Sequence, residues 1–161
     1  MTTKVLFVCT ANLCRSPMAE GVFRALAERA GVAEGFEIAS AGTSDGFVGR
    51  PPAPEAIEVA ASRGYDISGI RSRQVVTDDI AHFDYPLAMD SSHLVAMRWL
   101  APRALVGKPK LFMSFGPAMG IVDVADPIGG PKEGFESALS LIEAGCKGLL
   151  ARLAPISKRA I

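Results

Sequence analysis

The chain carries no net charge: seventeen lysines and arginines offset seventeen aspartates and glutamates. No global field draws it to nucleic acid or to an anionic membrane, so any anion site must be local. Long apolar runs are absent as well. After Lys4 only "VLFV" precedes polar residues, too short for a signal-peptide core, and no segment reads as a membrane span. The expected compartment is the cytoplasm. Cysteine is scarce, with three at Cys9, Cys14 and Cys146. They form no disulfide framework, and without a Cys-x-x-Cys pair, and with His82 and His93 far off, they form no zinc pattern.

What remains is 161 residues, 49% apolar and 21% charged, the profile of one globular domain spanning 1–161. "KVLFV" (4–8) reads as a buried strand. A polar loop, 9–15, follows it. Ser16 is placed to cap a helix with Pro17 in its first turn, Met18, Val22, Phe23 and Leu26 recur at helical spacing, and Gly31 closes the element. Further strands are expected at 36–40, 85–89 and 110–113. Helices are expected at about 55–63, over 92–100 behind the capping run Asp90-Ser91-Ser92, and at about 133–153. A loop rich in glycine and proline covers 116–131. Strands alternating with helices predict an α/β fold, a parallel sheet wrapped by helices. Cys146 reads as core, and His82 and His93 as surface or helix residues.

"VCTANLCRSPMAE" (8–20) lies where a strand feeds a helix. In open α/β sheets ligands bind beyond the C-terminal strand ends. Backbone N–H groups of such a loop, together with the helix dipole, attract an anion, and the Arg15 fork matches two oxygens of a phosphate. Thr10, Ala11, Asn12, Leu13, Cys14 and Ser16 would line that anion. The same groups would hold the Cys9 sulfur as a thiolate, with the Ser16 hydroxyl donating to it. A thiolate beneath a phosphoryl group is a positioned nucleophile. A lone Cys-x5-Arg more often marks a buried cysteine and a solvated arginine; its place at this junction favours phosphoryl transfer onto sulfur.

The sequence resembles the low-molecular-weight protein tyrosine phosphatases. "VLFVCTANLCRSPMAE" matches their phosphate-binding loop. "SAGTSDGFVGRPPAP" (40–54), "DISGIRSRQV" (66–75), "FDYPLAMD" (83–90) and "VADPIGG" (124–130) follow in family order. The resemblance implies a three-layer α/β/α fold with a four-stranded parallel sheet and the phosphate loop between its first strand and first helix. It implies a phosphomonoester hydrolase of the protein-tyrosine-phosphatase type that works through a cysteinyl-phosphate. Cys9 matches the nucleophile, Arg15 the phosphate-binding arginine and Asp126 the general acid. Asn12, Ser16 and Ser40 match loop supports, and Cys14 the cysteine that traps an oxidised nucleophile as a disulfide.

Asp126 on a mobile loop would protonate a phenolate leaving group and later take a proton from water. No metal or cofactor is required, since Arg15 and the loop amides offset the phosphate charge. The implied partners are a phosphotyrosine protein or a small aryl phosphomonoester, with inorganic phosphate as product.

The match departs from the family at several positions. Ala11 stands where a loop glycine is usual, a cost if the site needs positive φ. Ile70 replaces a histidine that supports the loop. Gly46 stands beside Phe47 where an aromatic residue is expected, and Ile128-Gly129 replace aromatics after Asp126-Pro127. Phe47 and Ile128 would thus form an altered substrate rim. Two rival functions share the loop. Arsenate reduction on the same fold needs downstream cysteines, and 72–100 has none. A non-catalytic phosphate-binding module would be expected to lose Cys9 or Asp126, and both are present.

Overall fold

The computed structural model describes residues 2–117 and 120–159, with backbone alone from 155 to 159. Ala118 and Met119, within the loop read at 116–131, and Met1, Ala160 and Ile161, within the expected 1–161 domain, lie outside the described residues.

Four parallel strands form one sheet in the order β2-β1-β3-β4: β1 (Thr3–Cys9), β2 (Phe36–Gly42), β3 (Tyr85–Ala88) and β4 (Lys110–Leu111). The helices are α1 (Arg15–Arg29), α2 (Pro54–Ser62), α3 (Thr77–His82), α4 (Ser91–Leu100) and α5 (Lys132–Arg159). Among the described residues no helix is long and apolar enough to cross a membrane.

β1 is covered on both faces, which is why it reads as an unbroken apolar run. Val5, Phe7 and Cys9 point to one core shared with Val22 of α1 and Leu149 of α5. Leu6 and Val8 point to the other, with Ile80 of α3 and Met97 of α4. Phe7 is fully buried between Phe23 and Phe112, the latter an edge contact at 5.6 Å. Burying such a ring contributes roughly 1.5–3 kcal/mol.

Three expectations change. The strand read at 110–113 stops at Leu111, and Phe112–Phe115 turn as a 3-10 segment. Phe112 lies against Gly145 of α5, so close that a Cβ there would sit 2.4 Å from its ring. Packing of that ring takes the residues out of the sheet. Residues 77–82, outside every expected element, form α3, where the Asp79 carboxylate accepts the Val76 N–H at 2.8 Å and binds Arg73 at 3.0 Å. Finally, α5 runs past residue 153 to Arg159.

The sheet order positions the site. The chain leaves β1 toward β2 on one side and then returns to β3 on the other. The C-terminal ends of β1 and β3 therefore flank a crevice at the point where strand order reverses, where ligands of open α/β sheets bind.

Candidate active site

The loop from Cys9 to Cys14 links β1 to α1 and is fixed from two sides. From β2, Thr43 N donates to Cys9 O and Ser44 N to Thr10 O, both at 2.9 Å. Gly42, at the end of β2, comes so near that a Cβ would sit 2.5 Å from Thr10 O. From the segment before α3, the Ser72 hydroxyl donates to Ala11 O at 2.7 Å and Arg73 N donates to Asn12 Oδ1 at 3.1 Å.

Asn12 makes the turn. It has φ 58°, the sole non-glycine residue with positive φ among the described residues. Asparagine tolerates this left-handed conformation better than most residues. Ala11 is not in it, so the strain anticipated there does not arise. Ile70, in the place of a polar loop support, packs instead against the apolar core. The loop's polar anchors come from Ser72 and the Arg73 backbone.

Asn12 is fully buried and its amide donates to Ser16 Oγ at 2.7 Å and Ser40 Oγ at 3.0 Å. Ser40 in turn donates to Glu20 Oε1 at 2.7 Å, and Glu20 Oε2 pairs with Arg24 at 2.9 Å. Ser16 does not cap α1. The N-cap is Cys14, without a side-chain bond, so the first-turn N–H groups stay available to an anion. The buried Ser16 hydroxyl sits 2.9 Å from Cys9 Sγ and 3.3 Å from Ala41 O. With Asn12 donating to this oxygen, its one proton lies between Ala41 O and the nearer sulfur.

Arg15 is 3% exposed. Its Nη1 donates to Asp90 Oδ2 at 2.7 Å and Val124 O at 2.9 Å; its Nη2 lies 3.4 Å from Thr10 Oγ1 and 3.6 Å from Asp126 Oδ2. Burial raises the Asp90 pKa, but the Ser92 hydroxyl, the Arg15 guanidinium and His93 outweigh it and hold the carboxyl at about 2. Asp90 thus does more than cap α4, where it accepts from Ser92 N and His93 N. Cys14 is a buried thiol pushed up to about 12, chiefly by desolvation, with Cys9 and Asp126 adding and Arg15 opposing.

Cys9, Thr10, Ala11, Leu13, Cys14, Arg15, Phe47, Asp126 and Ile128 line one cavity of about 220 Å³. Phe47 is 39% exposed and Ile128 51%. Asp126 lies at the mouth, its Oδ1 accepting from Ile128 N at 3.1 Å. Its loop is tied down by Val124 N donating to Met89 O and by Ser91, whose N–H and hydroxyl both reach Asp123 Oδ1. Ser40 stands behind the cavity, supporting it through Asn12.

Sequence reasoning missed His93. Read as a surface or helix residue, it is 2% exposed and its Nε2 lies 2.8 Å from Thr10 Oγ1. It also missed Asp90 as a partner of Arg15, and Ser72 and Arg73 as loop anchors. A signal existed for the first two: an acidic cap followed three residues later by a polar side chain, directly after a strand of the sheet. His82 is on the surface, as expected, paired with Glu37. Cys146 is buried on α5, its sulfur 3.7 Å from Ala19 O.

The chain resembles known proteins in sequence and in backbone. The profile described as "Low molecular weight phosphotyrosine protein phosphatase" matches residues 4–158. A low molecular weight protein-tyrosine-phosphatase of Streptomyces coelicolor is 43% identical over 154 residues, 94% of this chain and 93% of the relative. The Bacillus subtilis relative YfkJ is 36% identical over 149 residues, 92% and 94% of the two chains. The crystal structure of a protein tyrosine phosphatase from Entamoeba histolytica, with Hepes in its active site, superposes with a TM-score of 0.90 at 32% identity, covering 96% of this chain and 98% of that one. With the likeness running through nearly the whole sequence as well as the backbone, the chain belongs to the low molecular weight phosphotyrosine protein phosphatase family.

Proposed function

We propose that this phosphatase hydrolyses phosphotyrosine and related aryl phosphomonoesters through a phosphorylated Cys9. One observation carries the assignment of roles: the Cys9 sulfur, hydrogen-bonded by Ser16, lines the same cavity as Arg15 and Asp126.

In the first step Cys9 Sγ attacks phosphorus as the bond to the phenol oxygen breaks. Asp126, in its acid form, gives its proton to that oxygen, and the phenol leaves. Arg15 and the N–H groups of the loop and of the first turn of α1 stabilise charge on the transferring phosphoryl oxygens. In the second step water attacks phosphorus and passes a proton to the Asp126 carboxylate. The S–P bond breaks, inorganic phosphate departs and the thiolate returns. The bond from Asp90 to Arg15 aims the guanidinium before substrate arrives, so little reorganisation is left for the reaction.

The rim favours a flat ring with modest grip. Phe47 supplies one aromatic wall, with the Arg50 guanidinium 5.6 Å from its ring centre, and Ile128 an aliphatic one. Arsenate reduction would need further accessible thiols, and Cys146 is buried beneath α1. With peroxide as oxidant, Cys9 would become a sulfenic acid, whose condensation with the Cys14 thiol forms a disulfide and releases water. Three unpaired, buried thiols suit a reducing compartment such as the cytoplasm.

The test is mass spectrometry of an acid-quenched reaction with p-nitrophenyl phosphate. Wild type should carry one phosphoryl group on Cys9, and Cys9→Ser should neither turn over nor form that adduct. Turnover by Cys9→Ser near the wild-type rate would overturn the assignment.

A further inference from the structure

The two-step reaction gives His93 no task, yet this side chain is nearly inaccessible and commits both ring nitrogens at the edge of the cavity. The Asp90 backbone N–H donates to Nδ1 at 3.2 Å. Nδ1 also lies 3.2 Å from Asp90 Oδ1; because the Asp90 N–H can only donate, the neutral ring that accepts it carries its proton on Nε2, which donates to Thr10 Oγ1 at 2.8 Å. Desolvation favours this neutral form, pushing the pKa down to about 4 with help from Arg15, against the opposing pull of Asp90, Asp126 and Asp123.

Thr10 Oγ1 has a second donor. Arg15 Nη2 reaches it at 3.4 Å. A hydroxyl offers two lone pairs and one proton. With both lone pairs engaged, Thr10 can only donate, and it lines the cavity beside Cys9 and Arg15. We infer that His93 is a positioning residue that turns the Thr10 hydroxyl into a dedicated donor to an oxygen of the phosphoryl group seated over Cys9.

The donor is neutral, is oriented before the ligand binds, and is held by a helix rather than by a loop. A buried histidine with a purely structural role needs its nitrogens satisfied, but it has no need to meet a hydroxyl that also lines the anion cavity. The inference rests on the phosphate pocket proposed above.

The experiment measures inhibition of p-nitrophenyl phosphate turnover by inorganic phosphate and by vanadate, with thermal melting alongside. A hydrogen bond to a charged group is lost in Thr10→Val, so both inhibition constants should rise about tenfold, whereas Thr10→Ser should stay within about threefold of wild type. His93→Phe should show the same rise, and the double variant no more than either single one, because both remove one donor. A melting shift in His93→Phe with unchanged inhibition constants would mark a structural role alone and overturn the inference. So would wild-type inhibition of Thr10→Val, or losses that multiply in the double variant. If His93→Phe does not fold, the contrast between Thr10→Val and Thr10→Ser decides. A wild-type protein that binds neither anion would remove the phosphate pocket itself, whereas normal binding by Thr10→Val would remove this inference alone.

Discussion

The floor and the rim of the cavity over Cys9 are built on opposite plans. On the floor, Asn12, Arg15 and Ser16 are buried and each has two or more named partners. Asn12 alone ties Arg73, Ser16 and Ser40 into one network behind the sulfur. At the rim, Phe47 and Ile128 stand exposed, and the Asp126 side chain is 44% exposed. Binding a phosphoryl group needs donors fixed in advance, which calls for over-determined, desolvated geometry. Gripping a substrate ring needs surface, which can change without disturbing what lies beneath. The departures from the family pattern follow this division. Ile128 falls at the rim, whereas on the floor Ala11 falls at a position that does not demand glycine.

The largest expected effect probes Asp126, the proposed acid. Asp126→Ala should slow hydrolysis of phenyl phosphate, a poor leaving group, by about 10²–10⁴-fold. The loss for p-nitrophenyl phosphate should be far smaller. Equal losses for both esters would show that Asp126 does not protonate the leaving group.

Next, Asn12→Ala breaks the floor from below. It leaves the Arg73 N–H without its acceptor, removes the donor to Ser16 and Ser40, and puts alanine at positive φ. Together these should cost about 2–4 kcal/mol in urea-unfolding measurements. Glycine at 12 should recover the conformational part but not the hydrogen bonds. A variant as stable as wild type would show that the floor is less constrained than its contacts imply.

An acid titration reads the polar layer behind Arg15. Desolvation holds His93 at about 4, below the ordinary 6.5 of an imidazole, and against burial the Ser92 hydroxyl, Arg15 and His93 hold Asp90 at about 2, below the ordinary 3.8 of a carboxyl. Between each pair of values the unfolded chain binds more protons than the folded one, so stability falls as pH falls. The His93 contribution is present above pH 6.5 and should be lost on descent to 4; the Asp90 contribution should follow between 3.8 and 2. Urea unfolding at stepped pH should show the first loss in wild type and a flatter profile in His93→Gln.

The smallest effect belongs to the rim. Ile128→Tyr adds a second ring to the cavity that Phe47 lines, and aromatic pairing contributes about 0.5–1.5 kcal/mol. KM for phenyl phosphate should drop about two- to tenfold with kcat little changed. A change in kcat instead of KM would mean that the rim reaches the reacting atoms.

The legibility of each part tracks how far away its partners lie. The strand–loop–helix unit of Cys9 and Arg15 was readable because it is local: an apolar run, a polar loop and a helical repeat in some twenty-five consecutive residues. Other readings failed where tertiary contacts redirected a local preference. Ser16 has the sequence position of a cap, but its hydroxyl lies 2.9 Å from the Cys9 sulfur. Phe112 has the composition of a strand, but its ring is packed between Phe7 and Gly145. His93 read as an ordinary helix residue because its partner Thr10 is eighty-three positions away.

By itself, then, the sequence determined the alternation of strands and helices and the place of the thiol and the guanidinium at a strand end, because these depend on hydrophobic periodicity and on neighbours along the chain. Only the tertiary structure decided which side chains stand behind that pair. Asp90 and His93 reach Arg15 and Thr10 across the reversal of strand order beside β1, while the Ser72 hydroxyl and the Arg73 backbone reach the loop from beside the end of β2. Hydrogen bonds act over about 3 Å, and spacing along a chain does not encode such closeness until the sheet has formed.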